Sequence, residues 1–334
     1  MRDVFFFGAV QQSAALGRLQ QRAEESGKVG VAGAHGINDV ICVHGGGVVG
    51  LAAGTPVITG TGDSTAEAIS VGLVEPGTAF FQYGSSMFYY YCTDHFVGSY
   101  VSPQGNGALK GGKAFTVPGT YCLGDGTNAA GTLTRWVRDL LYSKELEAEK
   151  QGGENAYAVM AREAAAVPPG SDGLIMLPYI YGERSPLQDA EATGMLFGLK
   201  GTHGRAQINR AALEAVGYST YQHLLLFEEL GVPPRRIITA GGGTKNAAWM
   251  QIICDMAGMP LTIPEPFQCS SYGDAMLAAL GVGALESFAA LRAALPQGRI
   301  LQPDRKNHEF YQEHYPIFRD LYLENRDRMH RMQK

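Results

Sequence analysis

The segment 55–93 constrains the fold more than any other part of the chain. An apolar strand pattern, PVIT, ends in a glycine-rich turn that carries Asp63, and the following run predicts a β-hairpin that turns at Gly84-Ser85-Ser86. A carboxylate at a strand end can accept a hydroxyl proton, and the N–H groups of a tight turn can face a phosphate, so the pattern suits phosphoryl transfer. An isolated Asp after a strand is more often a turn residue or a helix N-cap, and that alternative stays open for Asp63.

Downstream of Val48 the sequence alternates between strand and helix patterns. The predicted strands cover residues 56–59, 79–83, 87–92, 174–177, 236–240 and 261–263. The predicted helices cover residues 64–71, 128–141, 156–166, 206–230, 247–257, 272–280 and 307–332. This alternation predicts a layered α/β domain.

A second candidate site lies where the strand at 236–240 runs into GGGTKN (residues 241–246) and then into a helix. Consecutive glycines at such a junction let a flat ligand or a phosphate approach the backbone. Many α/β proteins carry a glycine run there for packing alone, so the sequence leaves both explanations open.

Two further motifs resemble known binding or catalytic motifs, but the residues that should accompany them are absent. Asp125-Gly126-Thr127 resembles a phosphate-binding D-x-G-T loop, but it lacks the spacer residue and no apolar strand leads into it, so we interpret it as a turn before the helix at 128–141. HGGG at 44–47 resembles an oxyanion loop, but no G-x-S-x-G nucleophile follows. The eight histidines show no metal-ligand spacing, and we predict no metal-binding residues.

Composition narrows the class of partner. The net charge is −5 and no run of five or more Lys and Arg occurs, which argues against nucleic acid. No apolar run is long enough to span a bilayer, and the start of the chain lacks the apolar core of a signal peptide. The five scattered cysteines, without C-x-x-C, are typical of reduced thiols. We therefore expect a cytoplasmic protein that binds small molecules and neither nucleic acid nor membrane.

Taken together, these segments resemble the FGGY carbohydrate kinase family, and within it the xylulokinase-like members. The most specific stretch is GMLFGLKGTHGRAQINRAALE at 194–214. It matches the fixed positions of a family signature at Gly194, Leu196, Gly198, Leu199, Gln207, Ile208, Ala211, Ala212, Leu213 and Glu214. Similar pieces are LPYIYGERSP at 177–186, WMQIICD at 249–255 and SYGDAMLAALG at 271–281. The resemblance covers about residues 48–322.

The resemblance implies an actin-like ATPase (ribonuclease H-like) fold, a mixed α/β domain that would be the second of two kinase domains. It implies that ATP, with Mg²⁺, donates a phosphoryl group to a sugar hydroxyl. By position, Asp63 matches the general base, and Asp63 and Ser64 border the sugar. The residues that match nucleotide contacts are Gly84, Ser85, Ser86, Gly131, Gly242, Gly243 and Asn246. Glu183-Arg184 lies in a recurrent motif and is interpreted as part of an ion-paired loop.

Two departures from the family modify these expectations. Residues 1–47 look like a divergent leader or linker remnant, and residues 48–330 match the C-terminal domain, so we expect the first domain, with its metal-orienting D-x-G-T loop, to be largely missing from this chain. We therefore expect a chain that is inactive alone and needs a homodimer partner or the missing domain. The alternative is a non-catalytic nucleotide-binding remnant or a regulatory subunit. Ser64 stands where xylulokinases commonly have Asn, so the sugar, expected to be a pentulose such as xylulose, stays open.

Overall fold

A computed structural model describes residues 40–42, 56–58, 60–266 and 269–333 of the 334-residue chain. Most of the predicted leader, residues 1–47, lies outside these ranges. Two short strands, β1 (Val40–Cys42) and β2 (Pro56–Ile58), pair in antiparallel orientation. The strand that the sequence predicts before Asp63 is therefore confirmed as β2.

The remaining strands in the described ranges are, in chain order, β3 (Thr78–Tyr83), β4 (Met87–Thr93), β5 (Tyr100–Val101), β6 (Ala108–Leu109), β7 (Lys113–Ala114), β8 (Tyr121–Gly126), β9 (Ile175–Leu177), β10 (Met195–Phe197), β11 (Arg236–Ala240), β12 (Leu261–Ile263) and β13 (Arg299–Leu301). Seven of them form one mixed sheet in the order β13-β12-β11-β3-β4-β8-β7. Strands β3, β11 and β12 are parallel, so their carboxyl ends reach the same edge of the sheet.

The α-helices in the described ranges are α1 (Asp63–Ser70), α2 (Gly131–Leu141), α3 (Ser143–Lys150), α4 (Ala156–Ala165), α5 (Arg205–Glu229), α6 (Ala247–Ala257), α7 (Ser270–Gly281), α8 (Phe288–Ala294) and α9 (Arg305–Met332). None of them is both long enough and apolar enough to cross a membrane.

The two faces of the main sheet carry different helices because successive side chains of a strand point to opposite sides. Phe81 of β3 and Ile237 of β11 belong to the larger core, which includes residues of α5, α6 and α9. Phe80 and Ile238, their neighbours along the chain, pack instead in a smaller core with Ala68 of α1. The larger core therefore lies on one side of the sheet and α1 on the other.

The second half of the family signature, residues 205–214, forms the start of helix α5 and serves to pack the core. Nearly all residues of this helix between Asn209 and Phe227 are buried. Its two buried charged residues, Arg210 and Glu214, are paired inside the core: Glu214 accepts hydrogen bonds from Arg210 Nε at 2.9 Å and from Tyr311 Oη of α9 at 2.8 Å. These partners offset the cost of burying the charges.

The interpretation of Asp125-Gly126-Thr127 as a turn is wrong. Asp125 and Gly126 end β8, which pairs with β4, and α2 begins at Gly131 rather than at residue 128. Gly124 breaks the apolar pattern of β8 because the ring of Tyr90 on β4 occupies the space of a Cβ atom there. Asp125 forms ion pairs with Lys110 and Arg184, each at 2.9 Å. Pairing with neighbouring strands, rather than local hydrophobicity, makes this segment a strand.

Candidate active site

A cavity of about 620 Å³ opens at the carboxyl ends of β3 and β11, on the side of α5 and α6. Three separate segments meet there: the turn between β3 and β4, the start of α2, and the glycine run after β11. Six of the predicted site residues line it, namely Gly84, Ser85, Gly131, Gly242, Gly243 and Asn246. Asp63, Ser64 and Ser86 do not line this cavity.

Main-chain hydrogen bonds fix the turn between β3 and β4 against the start of α2. Gly131 N–H donates to the carbonyl of Gly84 at 2.9 Å, and Ala130 and Thr132 N–H donate to the carbonyl of Ser85 at 3.1 and 2.9 Å. A Cβ atom on Gly131 would lie 2.5 Å from the Gly84 oxygen, so only glycine allows this approach.

The N–H groups of the same turn are available for a ligand. Within the described residues, the main-chain N–H groups of Ser85 and Ser86 donate to no protein acceptor. The carbonyls of Gly84 and Ser85, by contrast, accept hydrogen bonds from the start of α2, and the carbonyl of Ser86 accepts the N–H of Gly84 at 3.0 Å. Free N–H groups that follow one another in a turn can bind an anion.

The three consecutive glycines after β11 have different roles. Gly241 has a φ of 93° and packs on the backbone of Tyr83, while a Cβ atom on Gly243 would lie 2.8 Å from the Cβ of Tyr83 and 2.9 Å from the ring of Trp249. A Cβ atom on Gly242 would meet no protein atom within 4 Å. Packing therefore requires glycine at 241 and 243, whereas the space above Gly242 is open to a ligand.

Asn246 lies at the end of the same loop and begins α6. Its Oδ1 accepts the N–H of Trp249 at 3.0 Å, which is a helix N-cap. Its amide nitrogen has no hydrogen-bond acceptor among the described residues and can still donate to a ligand.

The charge of the cavity is positive. Arg135 and Lys245 line it, and no Asp or Glu is among its lining residues. Sequence reasoning missed both, although Arg135 follows Gly131 by one helical turn and Lys245 lies inside the predicted loop. It also missed Asn155 and Tyr157 at the start of α4, because nothing in the sequence joins that helix to the loops across the cavity.

Asp63 begins α1 and is exposed. Its Oδ1 accepts the N–H of Ser64 at 2.7 Å and the hydroxyl of Ser64 at 3.2 Å. One turn further along α1, Glu67 accepts hydrogen bonds from Gln82 Nε2 at 2.8 and 3.0 Å. Tyr83 lines the cavity, and Gln82, its neighbour on β3, points to the opposite face of the sheet. Since Glu67 contacts Gln82, helix α1 with Asp63 lies on that opposite face, near the edge that carries the Gly84 turn.

Glu67 was not singled out from the sequence, although its spacing of four residues from Asp63 on one helix was a usable signal. Burial raises the pKa of Glu67; the hydrogen bond from Gln82 opposes this rise, and the negative charge of Asp63 adds to it. The two carboxylates are therefore electrostatically coupled along one face of α1.

No group of three or more His, Cys, Asp or Glu side chains that could hold a metal ion occurs in the described ranges. We therefore assign none of the described residues as a ligand of Mg²⁺.

A glycine-rich loop, a tight turn and a cationic cavity at the strand ends of a mixed sheet are typical of nucleotide-binding α/β domains. The model of the "FGGY family of carbohydrate kinases, C-terminal domain" matches residues 82–282. The chain belongs to this family.

Individual relatives agree with this assignment. The gluconokinase of Bacillus licheniformis is 32% identical over 202 residues, which cover 60% of this chain and 39% of that protein. The xylulose kinase of Staphylococcus epidermidis is 27% identical over 279 residues, which cover 83% and 53%. The crystal structure of xylulose kinase from Rhodospirillum rubrum superposes with a TM-score of 0.77 at 30% identity, covering 89% of this chain and 58% of that one. The expected actin-like ATPase fold is confirmed, and the chain spans about half the length of the curated relatives it matches.

Proposed function

We propose that this chain carries the nucleotide-binding half of an ATP-dependent sugar kinase, with Asp63 as the general base. The observation that carries the proposal is the convergence of the Gly84–Ser86 turn, the start of α2 and the Gly241–Gly243 loop on one cationic cavity. Names of the relatives, xylulose kinase and gluconokinase, support the reaction class.

In this proposal the adenosine lies above Gly242 and beside Asn246, and the phosphates run toward Ser85, Ser86 and Arg135. The cavity chemistry fits such a ligand: open space above one glycine, free N–H groups in the turn, and two cations without a competing carboxylate. Bound ATP would supply the phosphoryl group. The chain's own residues would orient the phosphates at the sheet edge.

We propose that Asp63 receives the proton of the sugar hydroxyl on the other face of the same edge. A general base must lie about 3 Å from the proton it abstracts, so the sugar must bind next to the start of α1. Ser64 holds one carboxylate oxygen of Asp63 and thereby limits its rotation. Ser64 would border the sugar, which we propose to be a pentulose such as xylulose.

We further infer that residues 48–330 act as one C-terminal domain and that turnover needs a first domain or a partner chain. Among the described residues, only Ser64 hydrogen-bonds to the Asp63 carboxylate, and the site around it is open. In-line transfer needs both substrates to be held in position. The same openness favours the second candidate function, a nucleotide-binding subunit without catalytic activity.

An assay of sugar-dependent ADP release over a panel of pentuloses, pentoses, gluconate and polyols tests the proposal, with ADP binding measured in parallel by calorimetry. We expect the 334-residue chain to bind ADP and to turn over only with an added first domain. With that domain, Asp63→Ala should lower kcat by about 10²–10⁴-fold and leave ADP affinity unchanged.

Each outcome has a defined meaning. ADP binding without turnover under any condition would favour the non-catalytic subunit. Turnover that survives Asp63→Ala would remove Asp63 from the role of base. Absence of ADP binding would reject both candidate functions.

A further inference from the structure

A second groove, of about 590 Å³, lies on the face of the main sheet opposite the first cavity. Its floor is formed by Arg236 of β11, Thr262 of β12 and Ile300 of β13. These residues share a face because Ile238, two residues after Arg236, pairs with Thr262, and Thr262 pairs with Ile300. Helix α8 forms one wall and contributes Arg292.

The charges in this groove do not balance. Its charged lining residues are Arg236, Arg292 and Glu75, which leaves one net positive charge. Glu75 forms an ion pair with Arg292 at the surface. The guanidinium of Arg236 makes no hydrogen bond and no ion pair with any described residue, although the residue is only partly exposed.

The environment of Arg236 is unfavourable for its own charge. Burial, and then the positive charge of Arg292, lower the pKa of the Arg236 guanidinium, while the negative charge of Glu75 opposes this shift. An unpaired cation that has lost part of its hydration costs free energy until an anion joins it. A guanidinium is suited to bidentate binding of a carboxylate or phosphate.

The apolar residues of the groove indicate what kind of molecule would carry this anionic group. Val71, Leu295, Pro264 and Pro296 provide apolar surface beside the arginines. A bare inorganic ion would leave this surface uncovered, whereas a small organic body would cover it.

We propose that the groove between Arg236 and Arg292 is a binding site for a small organic oxyanion, a compact molecule with a terminal phosphate or carboxylate. The oxyanion lies between the two guanidinium groups, and the organic part covers the apolar wall. The ion pair of Arg292 with Glu75 is exposed and worth little, so the ligand competes with Glu75 for Arg292. This site is independent of the proposed kinase function.

Calorimetry with the full chain at low ionic strength tests the proposal, with 3-phosphoglycerate as the probe and inorganic phosphate and glycerol as comparisons. We expect 3-phosphoglycerate to bind more tightly than phosphate, and glycerol not to bind. Arg236→Gln should weaken binding of the probe by about tenfold or more, which corresponds to the loss of a charge-assisted pair. Glu75→Gln should tighten binding because it frees Arg292.

Two controls separate this site from other parts of the molecule. Arg299→Gln removes a nearby arginine that pairs with Glu265 at 3.2 Å and does not line the groove, so affinity should be unchanged. Gly242→Val should also leave the affinity unchanged, because that residue lines the other cavity. The gain expected for Glu75→Gln cannot arise from misfolding.

The proposal is overturned if the probe does not bind at millimolar concentration, or if Arg236→Gln binds it as well as the wild type does. Loss of binding in Gly242→Val would place the anion in the first cavity instead. Equal affinity for inorganic phosphate would reject the organic part of the ligand.

Discussion

The side chain of Glu183 accepts a hydrogen bond from the main-chain N–H of Asn128 at 2.9 Å. The same oxygen also accepts the N–H of Arg184 at 2.8 Å, and Glu183 is only 2% exposed. Two residues beyond Asn128, Ala130 begins the contacts that hold the turn of the first cavity. Glu183 therefore positions the segment that supports this turn, without touching the cavity itself.

The first prediction concerns the pH dependence of stability. Burial raises the pKa of Glu183 from 4.5 to about 8, while the N–H groups of Asn128 and Arg184 oppose this shift. The folded chain thus retains a proton that the unfolded chain releases above pH 4.5. The contribution of this group to stability is full below that pH and is lost as the pH rises toward 8.

Glu183→Gln should remove this pH dependence. Between those two pH values, the free energy of unfolding of the wild type should fall relative to the variant by up to roughly 1.4 kcal/mol per pH unit. Urea unfolding at several pH values measures it, with Glu191→Gln, an exposed residue of the same loop, as the control. Parallel curves for the wild type and Glu183→Gln would contradict the prediction.

Gly242→Val should weaken ADP binding without changing stability. The added side chain meets no protein atom, but it fills the space that we assign to adenosine. Calorimetry with ADP and thermal unfolding measure the two effects. Gly98→Val, at an exposed glycine whose Cβ atom would also meet open space, is the matched control. Unchanged ADP affinity in Gly242→Val would remove this loop from the nucleotide site.

Gly131→Ala should affect both stability and ADP binding. The new methyl group would lie 2.5 Å from the carbonyl oxygen of Gly84, a backbone atom that cannot rotate away. We expect a loss of about 1–3 kcal/mol in the free energy of unfolding, together with weaker ADP binding because the turn must shift. Gly98→Ala should show neither effect. A Gly131→Ala protein of normal stability would mean that the turn yields easily.

The buried network around Glu214 should dominate the stability of the larger core. Glu214 is 3% exposed and accepts hydrogen bonds from Gly170, Ser171, Arg210 and Tyr311. Glu214→Ala leaves Arg210 buried without its carboxylate and should cost about 3–5 kcal/mol. Tyr311→Phe removes one hydroxyl and should cost about 1 kcal/mol. Urea unfolding compares the free energies of unfolding of the two variants. Equal losses of stability would show that the Arg210–Glu214 ion pair is not the main contribution of this network.

Local sequence signals predicted most of the architecture because apolar periodicity marks the long helices and glycines mark the ends of several elements. Strands β11 and β12 and helix α6 begin and end where the sequence predicts. The glycine runs at strand ends also identified residues that meet in the first cavity, since the ends of neighbouring parallel strands share an edge. Of the Glu183-Arg184 pair, only Arg184 is ion-paired; Glu183 bonds main-chain N–H groups instead.

The remaining features depend on contacts between distant residues. Tyr157 reaches the cavity because α4 packs on α5, and no spacing in the sequence encodes that contact. Strand β8 contains two glycines and an aspartate, and it exists because β4 pairs with it. The short strands and helices, such as α8 with Arg292, are likewise stabilised by tertiary packing rather than by local propensity.

The contact between Gly84 and Gly131 involves only main-chain atoms. The geometry of the turn therefore does not depend on which side chains occupy positions 85 and 86. Substitutions that replace the hydroxyl groups by methyl or amide groups there should leave the turn in place. A saturation library at Ser85 and Ser86 should accordingly contain many folded proteins that differ in how tightly they bind a phosphate group. A library at Gly131 should yield few, because a Cβ atom there would lie 2.5 Å from the carbonyl oxygen of Gly84.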